Sequence, residues 1–388
     1  MQTNAAFDII IVGGGLAGLS LATSLRKTPY SIAVVEGRAP VQPEGWDARI
    51  YAVSPGNARF LESSGIWQHL DPARLQAVET MAIFGDAGGH MRFSAFDSGI
   101  ETLAWIVESS LLQRELWETA KRQGNVTLLC PSHPAALSFG ADRATLTLDD
   151  GRALSAQLIV AADGADSWTR NAAGINVQFQ PYGQLGVVAN FECTKPHRGT
   201  AFQWFRDDGV LAWLPLPGKR ISIVWSTPDE HARELVALSA NELCAKVAAA
   251  GEHRLGDLAL VTPAAGFPLR LMRAPQTVAP RLALIGDAAH AIHPLSGHGI
   301  NLGFQDARVL AATLAAKPEH IGCGDVQWLR RFERARKEEV VALQSVTDGL
   351  QRLFGNPAAP LAALRNTGLN LAGHLPVIRD ALVRYAIG

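Results

Sequence analysis

The spacing of apolar positions changes several times along the chain, and each change marks an element. Residues 7–12 form a continuous, largely β-branched run, 13–18 a glycine turn, 16–27 an apolar pattern at helical spacing, and 31–35 a second apolar run closed by Glu36. Runs of this kind fit strands buried on both faces, so the stretch predicts a strand, a helix and a second strand. Residues 144–148 and 154–158 flank Asp149-Asp150-Gly151, the signal of a hairpin, and 158–162 reads as another buried strand. From 182 to 267 aromatic and aliphatic positions alternate, notably over 202–205, 210–214 and 221–225, with Gly and Pro between them. This predicts an antiparallel sheet inserted as a second domain. Residues 281–285 return to the buried-strand pattern, a glycine-rich turn and a helix over 303–315 follow, and the chain thereby re-enters its first domain. Residues 326–353 and 360–385 predict terminal helices, and the mixed charges of 330–339 read as a solvated helix face.

Length and composition narrow the class. The 388 residues predict two or three domains, or one large domain with an insertion. With 48% hydrophobic and 18% charged residues the chain is globular, without disordered or collagen-like bias. Its 35 Lys and Arg against 36 Asp and Glu leave a net charge of -1, which excludes a field that gathers nucleic-acid backbones. Cys130, Cys193, Cys244 and Cys323 stand at least 51 residues apart, so no CxxC pair or zinc ribbon is written here and reduced, cytoplasmic thiols are expected. No Lys or Arg precedes Arg26, and residues 9–25 are glycine-rich and short for a membrane span. The expectation is a cytoplasmic protein, soluble or peripheral to a membrane.

The chemistry begins at Gly13-Gly14-Gly15-Leu16-Ala17-Gly18, which satisfies G-x-G-x-x-G between a strand and a helix, with Glu36 23 positions after Gly13. Glycines permit the tight turn and the close approach of backbone to a pyrophosphate, which rests on the amides at the helix N-terminus. Gly13, Gly15, Leu16, Ala17 and Gly18 are therefore candidate dinucleotide contacts, and Glu36 a ribose ligand. The motif leaves FAD and NAD equally open.

Residues 158–170 read LIVAADGADSWTR and 281–307 read RLALIGDAAHAIHPLSGHGINLGFQDA. With the glycine loop these resemble the three fingerprints of the flavoprotein aromatic hydroxylases, the single-component FAD monooxygenases, over nearly the whole chain. Asp47-Ala48-Arg49 followed by AVSPGNARFLESSGIW, the stretch WIVESSLLQREL from Trp105 and the tail FERARKEEVVALQSVTDGLQRLF from Phe332 are similar to the ubiquinone-biosynthesis hydroxylase subfamily. The resemblance implies an α/β fold: a discontinuous Rossmann-like FAD-binding domain (1–75, 100–178 and 275–340), an inserted, mainly antiparallel β-sheet substrate domain (76–99 and 179–274) and a C-terminal helical segment (341–388). It implies FAD as cofactor, NAD(P)H as co-substrate, and hydroxylation of a polyprenylated phenol by O2 through a flavin 4a-hydroperoxide. By the same resemblance Arg49, Gln113, Asp163, Gly164, Gly286, Asp287, Gly297, His298, Gly299 and Asn301 contact the cofactor, and Pro294 borders the substrate. Ser110 and His298 depart from the family, where an arginine and a Gly-Gln-Gly loop are usual. No side chain stands out as a catalytic base. Association with the inner membrane face or with a ubiquinone-biosynthesis complex is implied as well.

Competing readings attach to several residues. His290, His293 and His298 could suggest a metal, but no carboxylate cluster accompanies them, so none is expected. Trp204, Phe205, Trp213 and Trp225 fit a substrate pocket and an ordinary sheet core equally well. The same cofactor fold would also serve a reductase of isoprenoid chains or a non-catalytic FAD-binding subunit.

Overall fold

A computed structural model describes residues 5–41, 43–86, 88–292, 299–354, 365–367 and 369–370. The first sheet is built on Ala5–Val12, which pairs in parallel with Ile32–Val35 on one side and Ala153–Ala161 on the other. Leu282–Leu284 and Val126–Leu129 extend the parallel order outward. Ile9, Ile10 and Ile11 are fully buried because helices cover one face and a further strand layer the other, as the unbroken apolar run requires. Helix Leu16–Ser24 packs between helices Gly299–Ala315 and Ser109–Lys121.

The hairpin forms at Asp149-Asp150-Gly151, where Gly151 takes a φ of +86° and Gly151 N–H donates to Leu148 O at 3.0 Å. One boundary is corrected. Residues 154–158 and 158–162 are a single strand, Ala153–Ala161. On one edge its first half pairs antiparallel with Ala144–Leu148 and its second half parallel with Leu282–Leu284. Two partners on one edge require no break in the strand itself.

The second sheet runs His290–Ala291, Ala265–Arg273, Gln178–Cys193, Arg220–Pro228, Gly209–Leu216, Thr200–Arg206, Thr80–Phe84 and His90–Ser94, with Leu258–Leu260 beside Gln178–Cys193. The stretch read as strands also holds two helices, Asp229–Ala237 and Ala240–Ala250. The second is announced by a capping box, Ser239 with Glu242. These helices bury one face of the sheet. Trp204, Trp213 and Trp225 all point there, among Val187, Phe191, Ile223, Leu235 and Val247. A third, antiparallel sheet of Ile50–Val53, Ala104–Glu108 and Gln76–Val78 packs against the opposite face, where Ala201 and Leu216 meet Ile106 and Val78.

Helix Val326–Phe354 closes the described core, and Phe354 stacks on Phe205 with ring centroids 3.7 Å apart. The helix expected over 360–385 lies outside the described residues except at 365–367 and 369–370.

Candidate active site

Three loops separated by more than a hundred residues each meet at the C-terminal ends of the parallel strands. A Cβ placed on Gly13 (φ +108°) would lie 2.3 Å from Ala162 O and 2.8 Å from Asp163 N. One on Gly18 would lie 2.1 Å from Gly13 O, so helix Leu16–Ser24 can settle on the turn only with glycine there. On the other flank a Cβ at Gly286 would meet Ala17 Cβ at 3.1 Å, and one at Gly303 would meet Gly286 Cα at 3.6 Å. Buried Arg170 ties the second and third loops together by donating to Ala165 O at 3.0 Å and Ala288 O at 3.1 Å.

The convergence leaves an open cradle. Among the described residues a Cβ on Gly15 or Gly164 would meet nothing within 4 Å, and no side-chain hydrogen bond caps the start of helix Leu16–Ser24, whose first turn also carries no acid. An uncapped helix end of this kind suits a pyrophosphate. Glu36 lies over the loop and accepts from Gly14 N–H at 2.6 Å, which leaves lone pairs for a hydroxyl. Gln113 donates to Gly14 O at 3.1 Å, so its amide steadies the loop. The residues present fit a dinucleotide such as FAD.

Arg49, Tyr51 and Asp287 gather beside the cradle. The Arg49 guanidinium sits 5.6 Å from the Tyr51 ring centroid. Asp287 stays accessible in the cleft, yet the protein around it raises its carboxyl pKa against the pull of His290 and Arg49. Burial likewise raises the Tyr51 phenol, with Arg49 opposing and Asp287 reinforcing the shift. Asp47 positions this group: it accepts from Arg49 N–H and Ser110 N–H at 2.9 Å each, and its own carbonyl accepts from Asn190 of the second sheet at 2.8 Å. Glu108, 1% exposed, accepts from Asp47 N–H at 2.6 Å and pairs with Arg74 at 2.6 Å.

Two expected contacts are redirected by the structure. The Asp163 carboxylate is taken up within its own loop by Ser167 and by Thr169 N–H and Oγ1, so this acid folds the loop that packs on Gly13. Asn301 accepts from Ser54 N–H and Asn57 Nδ2 at 2.9 Å and donates to Ala52 O at 2.8 Å, so its side chain secures the strand that carries Tyr51. Gly299 opens helix Gly299–Ala315, and a Cβ there would meet nothing within 4 Å among the described residues. Pro294, Gly297 and His298 lie outside the described residues, as does His293. His290 Nε2 is engaged by Asp306 at 2.6 Å.

The tryptophans are corrected more sharply. Trp204, Trp213 and Trp225 are 3%, 0% and 1% exposed and belong to the core beneath the two helices, because alternation places them on the sheet face away from Arg49. Their indole N–H groups find no acceptor among the described residues. Trp213→Phe therefore loses packing volume but also removes a buried unpaired donor, and the net change in stability is expected to stay within about 1 kcal/mol. Thermal denaturation checks this, and the substrate KM should not move. A raised KM without a stability change would restore the pocket reading.

Sequence reasoning missed Asp47, Tyr51, Glu108, Asn190 and Asp306 as parts of the site. Asp47 carried a signal, since an Asp two residues before Arg49 is placed to accept its backbone N–H.

A family model described as FAD binding domain matches residues 6–346. The ubiquinone hydroxylase UbiL of Rhodospirillum rubrum is 33% identical over 384 residues, covering 98% of this chain and 89% of that protein. The 3-demethoxyubiquinol 3-hydroxylase of Escherichia coli strain K12 is 33% identical over 393 residues, covering all of both. Among solved structures, p-nitrophenol 4-monooxygenase PnpA from Pseudomonas putida DLL-E4 shares the fold with a TM-score of 0.81 at 19% identity, over 99% of each chain. With its glycine cradle, paired acid loops and added antiparallel sheet, the chain belongs to the FAD binding domain family, in the branch of the ubiquinone-biosynthesis hydroxylases.

Proposed function

We propose that this chain is an FAD-dependent monooxygenase that uses NAD(P)H and O2 to hydroxylate the aromatic ring of a polyprenylated phenol in ubiquinone biosynthesis. The observation that carries the reading is the meeting of the loops at Gly13, Ala162 and Gly286 around one open cradle, in a chain whose full-length relatives are named as ubiquinone hydroxylases. When bound, FAD supplies the electron and oxygen chemistry. The chain's residues bind and orient. The amides from Gly15 onward hold the pyrophosphate, Glu36 the adenosine ribose, and Asp287 and Arg49 the flavin end. Val188, Val224 and Ala212 are paired across three adjacent strands on the sheet face that also carries Asn190. This row offers an apolar wall that excludes water and buries prenyl carbons at roughly 25 cal/mol per Å². The cofactor-binding portion then comprises 1–75, 100–178 and 275–340, and the substrate portion 76–99 and 179–274.

Among the described residues no helix is long and apolar enough to cross a membrane. We propose a cytoplasmic protein that meets the bilayer or a biosynthetic complex peripherally; the peripheral contact would bring it to a prenylated substrate and is supported by exposed Val341, Val346 and Leu350 on the last described helix.

The test combines an oxygen electrode with mass spectrometry. Purified protein should carry a yellow chromophore and consume NAD(P)H and O2 when given a prenylated phenol, and a deletion strain should accumulate a quinone precursor lacking one ring hydroxyl. Substrate reduction without oxygen uptake would instead mark a reductase. Bound FAD with neither consumption nor an accumulated precursor would mark a non-catalytic subunit.

A further inference from the structure

The turn that carries Asp287 is fastened from behind by one buried carboxylate. Asp306, on helix Gly299–Ala315, accepts on Oδ2 from Gly286 N–H at 2.9 Å and pairs on the same oxygen with His290 Nε2 at 2.6 Å. One oxygen thus holds both ends of the Gly286–His290 turn. Asp306 Oδ1 accepts from Arg336 Nε of the last described helix at 2.7 Å, while Arg336 Nη2 donates to Gln305 at 3.1 Å and Nη1 pairs with Glu339. His290, Asp306 and Arg336 are 6%, 1% and 5% exposed.

Removing three charged side chains from water is costly, and apolar residues of the same volume would serve stability as well or better. The arrangement of charge suggests another use. Burial disfavours an imidazolium, but the charge and hydrogen bond of Asp306 outweigh it, and the His290 pKa is raised. Asp306 stays ionised because His290 and Arg336 overcome the same burial. The charges are ordered in depth. Glu339 is 41% exposed at the solvent end beyond Arg336, whereas His290 acts directly on Asp287 at the cleft end. Within this buried group the positive charge nearest the cleft is the imidazolium, three residues from the acid proposed to hold the flavin end, and it adds to the guanidiniums of Arg49 and Arg270, which act on Asp287 from other elements.

We propose that His290 is a positioning residue that keeps a positive charge beneath the Asp287 turn, and so favours the anionic, two-electron-reduced cofactor over its oxidised form, with Asp306 and Arg336 holding that charge in place. The inference rests on the reading of the chain as an FAD enzyme. A hydride from NAD(P)H brings two electrons and one proton, releases NAD(P)+, and leaves one negative charge on the ring system. A fixed cation close to that charge lowers its energy, while the oxidised ring, which is neutral, gains little.

The experiment is a spectroelectrochemical titration of FAD-loaded protein, alongside FAD affinity. His290→Gln retains a neutral donor for Asp306 and should keep affinity for oxidised FAD within about threefold. Its preference for the reduced form should fall by about tenfold, a drop in midpoint potential of about 30 mV. A purely structural histidine would weaken both redox forms alike and leave the potential unchanged, which overturns the proposal. Arg336→Gln and Arg336→Lys give a second comparison if His290→Gln does not load. The first removes a charge and should lower the potential, and the second keeps the charge and should not. Equal potentials in that pair overturn the proposal, and so does failure of all three folded variants to take up FAD. A wild-type chain that binds no FAD would sink the proposed function instead, so the two failures are distinguishable.

Discussion

Gly13→Ala is expected to give a protein that no longer retains FAD through purification and melts at a lower temperature, whereas Gly15→Ala should melt as the wild type does and lose only the cofactor. The two glycines sit two residues apart but face different neighbours. The added methyl at position 13 would lie 2.3 Å from Ala162 O and 2.6 Å from the carbonyl carbon behind it, both backbone atoms just past the end of strand Ala153–Ala161. It would also have to hold a φ of +108°, which side chains rarely adopt. Strain of this kind costs about 1–3 kcal/mol before the clash is counted, and each 1.4 kcal/mol passed on to binding is tenfold in affinity. The turn must lift, and FAD affinity should fall by about 100-fold or more. At Gly15 nothing among the described residues, its chain neighbours aside, lies within 4 Å of the added methyl, so folding gives no objection to it. Only a ligand lying on the loop can object. Fluorescence titration with FAD, together with melting curves of the apoproteins, separates the cases. Wild-type FAD affinity in Gly15→Ala would place the cofactor somewhere other than on this cradle.

That contrast also shows what the sequence could and could not say. The glycine loop was legible because its residue types are forced by backbone geometry, and the strands beside it because burial on both faces leaves no polar alternation. The loops of residues 158–170 and 281–307 were legible through family resemblance, and their contact at Gly13, Arg170 and Gly286 appears only in three dimensions. The tryptophans were harder. Alternation shows that Trp204, Trp213 and Trp225 share a face with their apolar neighbours, but the face is identified only by what covers it, and the covering helices sit in a stretch whose strands dominate the pattern. Asn301 and Asp163 match the family motif in type and position, yet their hydrogen bonds run to Ser54, Ser167 and Thr169. A motif fixes which atoms are present in a loop, and the surrounding elements decide which partners those atoms find. Asp306 was invisible for a related reason, since a single acid in an apolar helix looks like any surface carboxylate until its buried partners come from the Gly286–His290 turn and the last described helix.

Asp306→Asn should lower stability by about 3 kcal/mol, near the lower end for a broken buried charge pair, because it leaves His290 and Arg336 facing a neutral amide. Arg336 keeps Gln305 and Glu339, which limits the loss on that side. His290 has no such reserve in the pairing described, and burial alone favours its neutral form. The pH dependence follows from the two directions. The Asp306 pKa is lowered against burial by His290 and Arg336, so its contribution is present above the ordinary carboxylate value of about 4 and is lost as pH falls through the lowered one. The His290 pKa is raised, so its contribution is complete below about 6.5 and is lost as pH rises through the folded value above that. Both contributions are therefore in force between about pH 4 and pH 6.5. The gap between wild type and Asp306→Asn should be widest in that window. It should narrow toward alkaline pH without closing, since Arg336 stays charged and still needs its carboxylate. Denaturant midpoints measured across the range check the profile. A gap that stays constant from about pH 5 to pH 9 would mean that His290 is neutral in the folded protein and that Asp306 is held by Arg336 alone.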